Sequence, residues 1–373
     1  MSVSNRPYQM CTKTVMDTTD TEITFDENGI SNHYQDFMRL APQYIYQGKE
    51  TDIKREQLFA AIKDAGKNSD YDCICGVSGG VDSSYVAYQA KQFGLRVLTV
   101  HFDNGWNSEL AVKNIENIVK KLGFDYQTWV VDWEEFRDLQ IAFLKASVAN
   151  AEIPTDQAFL AAIYRLCNKY NIKYILSGSN FATEGILPKS WGYNAKDLKH
   201  LKAIHNRFGK IPFDTYPLLG FNKEFYYTYL KKIKMVRLLN YVPYIKADAM
   251  KVIQEKLGWV YYGGKHYESV FTRFFQAYIL PQKFNIDKRK AHLSTLICSG
   301  QMTREQALEE LKKEIYPPHK LEEDKTFVIK KLGMTENEFE NIMKAPVKSY
   351  KDYPNDERKL KFIYSVYNKL RGR

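Results

Sequence analysis

From Asp70 onward the chain alternates short apolar runs with amphipathic stretches, and no other feature constrains its fold as tightly. YDCICGV reads as a strand, SSYVAYQAKQFG as a helix ended by Gly94, RVLTVHF as a second strand and SELAVKNIENIVKKLG as a helix ended by Gly123. The cycle repeats through the strand DYQTWVV, the helical stretches EEFRDLQIAFLKASVAN and TDQAFLAAIYRLCNKY, and a fourth strand, KYILSGS. Strands separated by helices of this length pair in parallel through right-handed crossovers. The expected class is therefore α/β, a doubly wound and mostly parallel sheet, with ligand at the C-terminal ends of its strands.

The flanks read differently. Residues 1–50 form an irregular extension with the turn signal FDENG. Beyond about Gly185 the chain is aromatic, basic and mostly helical, punctuated by Pro188, Pro212, Pro217 and Pro243. Thr303 with Gln306 and Thr335 with Glu338 are capping boxes that mark two helix starts. The expected organisation is an extension over 1–50, a nucleotide-type α/β domain over 51–240, and a helical region over 241–373 that meets substrate or partner.

Composition narrows the class. No apolar run approaches the roughly 20 residues needed to span a bilayer, so membrane insertion is not expected. The start, MSVSNRPYQMC, lacks a signal-peptide core, and five scattered cysteines do not make a disulfide framework. Both point to a reducing cytoplasm. Lys and Arg exceed Asp and Glu by 54 to 44, a net charge of +10 that favours anionic partners.

The turn after the first strand, SGGVDSS, carries the chemistry. Ser78, Gly79 and Gly80 stand where a strand becomes a helix, so backbone amides of the turn and first helical turn lack intrahelical partners and form an anion site. Glycines let a phosphate approach, and the hydroxyls of Ser78, Ser83 and Ser84 add donors. The loop has neither the lysine of a Walker loop nor the GxGxxG of a dinucleotide fold. It resembles instead the PP-loop of the ATP pyrophosphatases, in which the loop grips the pyrophosphate of ATP and AMP passes to a substrate oxygen. The resemblance implies ATP and Mg2+ as cofactors, with Asp82 on the metal and Glu184 a second metal candidate. It also places His101, Asp103 and Asn104, after the second strand, where the superfamily holds adenosine. The plain alternative for His101 is a hydrogen-bonded histidine at a strand end. Ser177, Gly178, Ser179 and Asn180, after the fourth strand, line the same edge.

Two further stretches narrow the resemblance. Residues 259–311, WVYYGGKHYESVFTRFFQAYILPQKFNIDKRKAHLSTLICSGQMTREQALEEL, and the N-terminal VMDTTDTEITFDENGISNH resemble the N-acetyl sugar amidotransferases of the WbpG and PseA type. These belong to surface polysaccharide (lipopolysaccharide O-antigen) biosynthesis. The specific strings are YGGKHYES and DKRKAHLS. The resemblance implies adenylation of the acetamido oxygen of an activated or acidic amino sugar, followed by displacement of AMP by ammonia to give an acetamidino sugar. Within this stretch Lys265, His266 and Glu268 are candidate catalytic residues. Arg273, Lys283, Lys288 and Arg289, with His292, are candidate cationic groups for a sugar nucleotide or uronic acid. The alternative is a solvated helical face with structural ion pairs, such as Asp287 with a neighbouring Lys or Arg.

No glutaminase nucleophile is evident, since neither Cys75 nor Cys298 sits in a strand-to-helix elbow. The resemblance therefore implies a separate glutaminase and an ammonia-channelling subunit like those of histidine biosynthesis, with homo-oligomerisation open and no nucleic acid involved. Relatives of this type carry paired CxxC motifs near the N-terminus, a structural zinc site. Here the positions read Cys11 with Thr14, then Ser31, Asn32, His33 and Tyr34, so no zinc is expected. Two other readings compete: a PP-loop tRNA-modifying enzyme, favoured by the charge, and a nucleotide-binding assembly subunit without catalysis.

Overall fold

A computed structural model describes residues 6–192, 194–264 and 267–370. In chain order the elements are α1 (Asn32–Tyr44), α2 (Lys49–Gly66), β1 (Cys73–Gly76), α3 (Val81–Gln92), β2 (Val97–Asp103), α4 (Glu109–Leu122), β3 (Asp125–Val130), α5 (Trp133–Lys145), α6 (Ile153–Lys169) and β4 (Tyr174–Ser177). They continue with α7 (Phe181–Glu184), α8 (Leu198–Phe208), α9 (Phe221–Phe225), β5 (Lys234–Arg237), α10 (Lys246–Leu257), α11 (Val270–Phe274), α12 (Leu280–Phe284), α13 (Lys288–Cys298), α14 (Arg304–Lys312), α15 (Pro318–Leu332), α16 (Glu336–Lys344) and α17 (Glu357–Leu370).

The sheet has five strands in the order β3-β2-β1-β4-β5, every pair parallel. The two strands on either side of β1 run outward in opposite chain directions, so the switch point of the doubly wound sheet falls at the end of β1. Central β1 is apolar on both faces, as a covered parallel strand must be. Cys73 and Cys75 pack with α2, α3 and α10, whereas Ile74 packs against α6. Gly76 ends the strand because the Phe159 ring occupies the place of a side chain: its Cζ lies 2.8 Å from where a Cβ would stand.

Local signals place the helices. Ser108 caps α4 by accepting from the Ala111 amide at 3.2 Å, and Gly123 ends it in the left-handed region at φ 62°. Both expected capping boxes form, Thr303 with Gln306 on α14 and Thr335 with Glu338 on α16. Two expectations are corrected. The stretch 1–50 contains the 13-residue helix α1, with Pro42 inside it, capped by the Ser31 side chain. A fifth parallel strand, β5, lies within the region expected to be mostly helical.

The largest apolar cluster lies away from the sheet and joins both ends of the chain. Met16, Ile23 and Phe37 from the N-terminal segment meet Phe136 and Phe143 of α5, Phe274 of α11 and Phe339 of α16. Polar contacts reinforce this: Arg304 donates to the Thr14 carbonyl at 3.0 Å and Lys290 bonds Asp17 at 2.5 Å. No helix among the described residues is long and apolar enough to cross a membrane.

Candidate active site

The turn from β1 into α3 is held in a cradle shape by its own hydroxyls. The Ser78 amide donates to Ser83 Oγ at 3.3 Å, the Gly80 amide to Ser78 Oγ at 3.2 Å, and Ser84 Oγ donates to the Gly80 carbonyl at 2.6 Å. Gly79 has φ 81°, and a Cβ there would stand 2.7 Å from the Ala111 carbonyl oxygen of α4. A Cβ on Gly178 would stand 3.0 Å from the Ser83 amide nitrogen. Glycine at both places lets α4 and the loop after β4 close on the cradle from two sides.

A segment from the C-terminal half straps across this turn. Trp259 Nε1 donates to the Gly79 carbonyl at 2.7 Å, while the Asn114 side chain exchanges bonds of 2.8 and 2.9 Å with the Val260 backbone. At the other end the Ser108 amide donates to the Glu268 carbonyl at 2.9 Å, and Asn107 bridges to Ser269. Between these anchors the Tyr262 hydroxyl accepts from the Val81 amide and bonds Glu268. The place a Gly80 Cβ would take lies 3.3 Å from both Glu268 Oε1 and the Tyr262 hydroxyl.

Cradle, strap and the start of α10 enclose a cavity of about 410 Å³. Asp82, Glu184 and Glu268 bring carboxylates to it, and Lys246 is the only cationic side chain among its described lining residues. Two tyrosines, Tyr244 buried and Tyr262 partly buried, serve the carboxylates. Tyr244 donates to Asp82, and burial followed by the charge of Asp82 pushes its hydroxyl pKa far up, as burial and Glu268 do for Tyr262. The charge of Glu184 adds to the rise at Tyr244. Asn180 caps the short helix ending in Glu184 by accepting from the Thr183 amide at 2.9 Å, and His292 Nδ1 donates to the Thr183 carbonyl at 3.1 Å.

The remaining residues singled out in the sequence fall in three places. Ser78, Gly80, Asp82, Ser83, Gly178, Ser179, Glu184 and Glu268 line the cavity, with Gly79 and Ser84 shaping the turn beneath it. Lys265 and His266 lie outside the described residues. His101 is buried at the strand end, its Nδ1 3.1 Å from the Val77 carbonyl and its Nε2 3.1 Å from the Asn107 amide group. A carbonyl only accepts, so Nδ1 carries the proton and Nε2 accepts. Burial holds this imidazole below its ordinary range, and hence neutral. Asp103 accepts from the Gly105 amide at 2.8 Å and from Asn107 at 3.2 Å.

Three of the four cationic candidates are engaged inside the protein. Arg273 is buried in an ion pair of 2.6 Å with Asp324. Lys283 donates to the carbonyls of Ile342 and, at 2.7 Å, Ala345, neutralising the C-terminus of α16. Arg289 pairs with Asp287 at 2.8 Å and reaches the Lys313 carbonyl at 2.9 Å beyond α14. Lys288, at the start of α13, lies 3.8 Å from Glu152. Tyr244, Tyr262 and Lys246 were not singled out in the sequence. Tyr262 sits inside the quoted YGGKHYES string, but VPYIKADAM offers no motif for the other two.

At the former CxxC positions Cys11 is buried and accepts from the Ser31 amide at 3.2 Å. Burial pushes its thiol up, but bonds from Ser31 and Thr14 outweigh this and leave it below the ordinary range. His33 turns to Asp20 at 2.6 Å. Among the described residues no group of three acidic, Cys or His side chains is placed to hold a metal.

Residues 72–173 match the family described as queuosine biosynthesis protein QueC, and residues 268–371 match that described as LPS biosynthesis protein WbpG-like, C-terminal domain. The tRNA(Ile)-lysidine synthase of Chlamydia pneumoniae is 27% identical over 158 residues, 42% of this chain and 45% of that protein, so the chain spans less than half the length of this curated relative. Among solved structures, the NMN synthetase of Francisella tularensis (16% identity, TM-score 0.29) matches over 51% of this chain and 72% of its own. The NH3-dependent NAD synthetase of Campylobacter jejuni (15%, TM-score 0.31) matches over 75% and 95%. Over residues 72–173 the chain thus resembles a PP-loop domain, with the glycine cradle at the end of its first strand. The chain joins this QueC-like region to a region similar to the WbpG-like C-terminal domain.

Proposed function

We propose that the chain activates an acetamido group on an amino sugar with ATP, releasing pyrophosphate, and replaces its oxygen with ammonia to give an acetamidino sugar for surface polysaccharide. One observation carries this reading: the strap that closes the PP-loop cavity leads directly into the WbpG-like region, with Glu268 the first residue of that match and also a wall of the cavity. The phosphate machinery and the family-specific part therefore share one chamber.

The chamber suits a nucleotide that arrives with its metal. Amides of the cradle now hold hydroxyl oxygens, and phosphate oxygens would take those places. Acidic groups outnumber cations in the lining, which would repel a bare polyphosphate. Magnesium resolves this, since it prefers oxygen donors and takes one or two carboxylates together with phosphate oxygens rather than a closed protein cage. Asp82, bonded by the Tyr244 hydroxyl, and Glu184, on the lining of the same cavity, would hold it. When bound it lowers the charge of the departing pyrophosphate. Lys246 serves the phosphates, Tyr244 orients Asp82, and the strap keeps water from the reacting centre.

An amide carbon resists ammonia because its oxygen leaves poorly, and transfer of AMP to that oxygen removes the obstacle. Ammonia comes from a separate glutaminase through a channelling subunit. The purified chain should therefore form amidine with ammonium salts and not with glutamine. The test is incubation with ATP, magnesium, ammonium and a panel of UDP- and CMP-linked acetamido sugars. Acceptor-dependent pyrophosphate release and loss of about one mass unit from the sugar, as O becomes NH, support the proposal.

A second reading, adenylation of a tRNA base, draws on the tRNA(Ile)-lysidine synthase similarity and the net charge of +10. Sulfur chemistry of the thiolase kind has no support at the cavity. Cys73, Cys75 and Cys167 are buried in the sheet core, where burial raises each thiol, Cys75 to about 12. Tight, steeply salt-dependent tRNA binding would favour the second reading.

A further inference from the structure

Glu184 ends a helix too short to hold itself in place. α7 has four residues, well below the length at which a helix is stable alone, and its last carbonyls have no partners within it. Side chains of α13 supply what a next turn would have given. His292 Nδ1 donates to the Thr183 carbonyl at 3.1 Å, and Gln301 Nε2 donates to the Ala182 carbonyl at 3.4 Å. The Ile186 amide, which would bond Ala182 if the helix went on, donates instead to the buried Thr295 Oγ1 at 3.1 Å. Thr295 in turn donates to the Ala291 carbonyl of its own helix at 2.9 Å, which fixes the direction of its hydroxyl.

The end of α13 also reaches the helix that brings Lys246 to the cavity. α10 begins at Lys246, and Ile245 before it provides no capping side chain, so the Lys246 amide has no partner within its own helix. Gln301 Oε1 accepts from that amide at 2.9 Å and caps α10 from outside. The backbone of Gln301 is itself fixed. α13 closes through Gly300 at φ 73°, with the Gly300 amide bonding the Ile297 carbonyl at 3.0 Å and the Gln301 amide bonding the Leu296 carbonyl at 2.9 Å. Gln301 lines the cavity together with Leu296 and Met302. One side chain thus joins the ends of α7 and α10, and it belongs to the match over 268–371, whereas Glu184 and Lys246 both precede that match.

We propose that His292, Thr295 and Gln301 are positioning residues through which α13 sets Glu184 for magnesium and Lys246 for the phosphates. The inference rests on the reading of the cavity as a magnesium–nucleotide site and is independent of which group is adenylated. A metal ligand works only where its support holds it, and α7 has little support of its own. The C-terminal region therefore completes the nucleotide site as well as walling it. His292, a candidate for an anionic substrate in the sequence, serves α7 through its Nδ1 proton.

The probe is the α,β-methylene analogue of ATP, which resists cleavage between its first and second phosphates, titrated into the full chain by calorimetry at limiting and at saturating magnesium. His292→Gln, whose amide reaches toward the place of Nε2 and leaves Thr183 without its donor, should weaken binding roughly tenfold at limiting magnesium and far less at saturation. His292→Asn, whose amide donates from near the place of Nδ1, should restore wild-type binding. Gln301→Leu should weaken binding under both conditions, since Lys246 is loosened along with Glu184. A role confined to stability would lower Tm without any dependence on magnesium. Wild-type affinity at limiting magnesium in His292→Gln and Gln301→Leu, or an equal loss at both magnesium concentrations in His292→Gln, overturns the inference. A wild-type chain that does not bind the analogue with magnesium overturns the nucleotide site and this inference with it. One that binds the analogue but releases no pyrophosphate from ATP with any acetamido sugar overturns the proposed function and leaves this inference standing.

Discussion

Asp82 is positioned by Tyr244, and that pair shows what a single residue contributes to the cavity. A hydrogen bond to a charged group is worth about 1.5–3 kcal/mol. Tyr244→Phe should accordingly lower kcat/KM for ATP by roughly tenfold or more, an effect that grows as magnesium is reduced, and Asp82→Ala should remove pyrophosphate release altogether. Steady-state kinetics across a magnesium series checks both. Elsewhere Asp17 and Asp20 are fully buried, and burial alone would raise their carboxyls, but Lys290 and Thr19 hold Asp17, and His33 and Ser190 hold Asp20, below the usual range. For a depressed carboxyl the stabilisation is present above the unfolded value and is lost as pH falls through the folded value. Stability should thus be flat down to about pH 4 and fall below it. Lys290→Met leaves Asp17 buried without its cation and should cost about 3–5 kcal/mol, read as a fall in Tm at pH 7 that shrinks toward pH 3. The SGGVDSS turn was legible because its chemistry is local. Tyr244 and Lys246 were not, because they reach the cavity only through the packing of α10 against α3, which no short string encodes.

At the scale of elements, the cradle depends on two close approaches of backbone. Gly79→Ala would drive a methyl into the α4 carbonyl from a left-handed φ, and Gly178→Ala would press on the amide of Ser83. Strain of this kind costs about 1–3 kcal/mol, so both variants should fold with a lower Tm and bind ATP more weakly by calorimetry, Gly79→Ala more than Gly178→Ala. Trp259→Phe removes one of the anchors at this end of the strap, leaving those of Asn114, and should cost about 1 kcal/mol through its lost bond to Gly79. Four strands could be read from sequence because each is a run with apolar residues and a following helix. β5 could not: KMVR is four residues long, begins and ends on a cation, and buries only Val236. Edge position relaxes the demand for apolar residues that makes a strand visible. The helix α1 was hidden by Pro42 and by a polar surface, and it is held through Phe37 against α7 and α13 rather than by intrinsic preference.

Over the whole molecule, the N-terminal segment acts as a fastener for the C-terminal helices. Val15 donates to Ser294 at 3.1 Å, Asp17 holds Lys290, and Asp20 accepts from Ser190 at 2.6 Å. Deletion of residues 1–31 should lower Tm by at least 10 °C and raise exposure of apolar surface to a dye such as ANS, because a shared core rather than a separate module is opened. This long-range pairing was beyond the reach of sequence, where the N-terminal segment offered only the turn signal FDENG. The account as a whole turns on which bond of ATP is cut. Chromatography of the nucleotide products, with ATP, magnesium, ammonium and an acetamido sugar supplied to the purified chain, measures this directly. AMP and pyrophosphate in equal amounts, dependent on the sugar, are what the cradle predicts, and ADP with orthophosphate would contradict it.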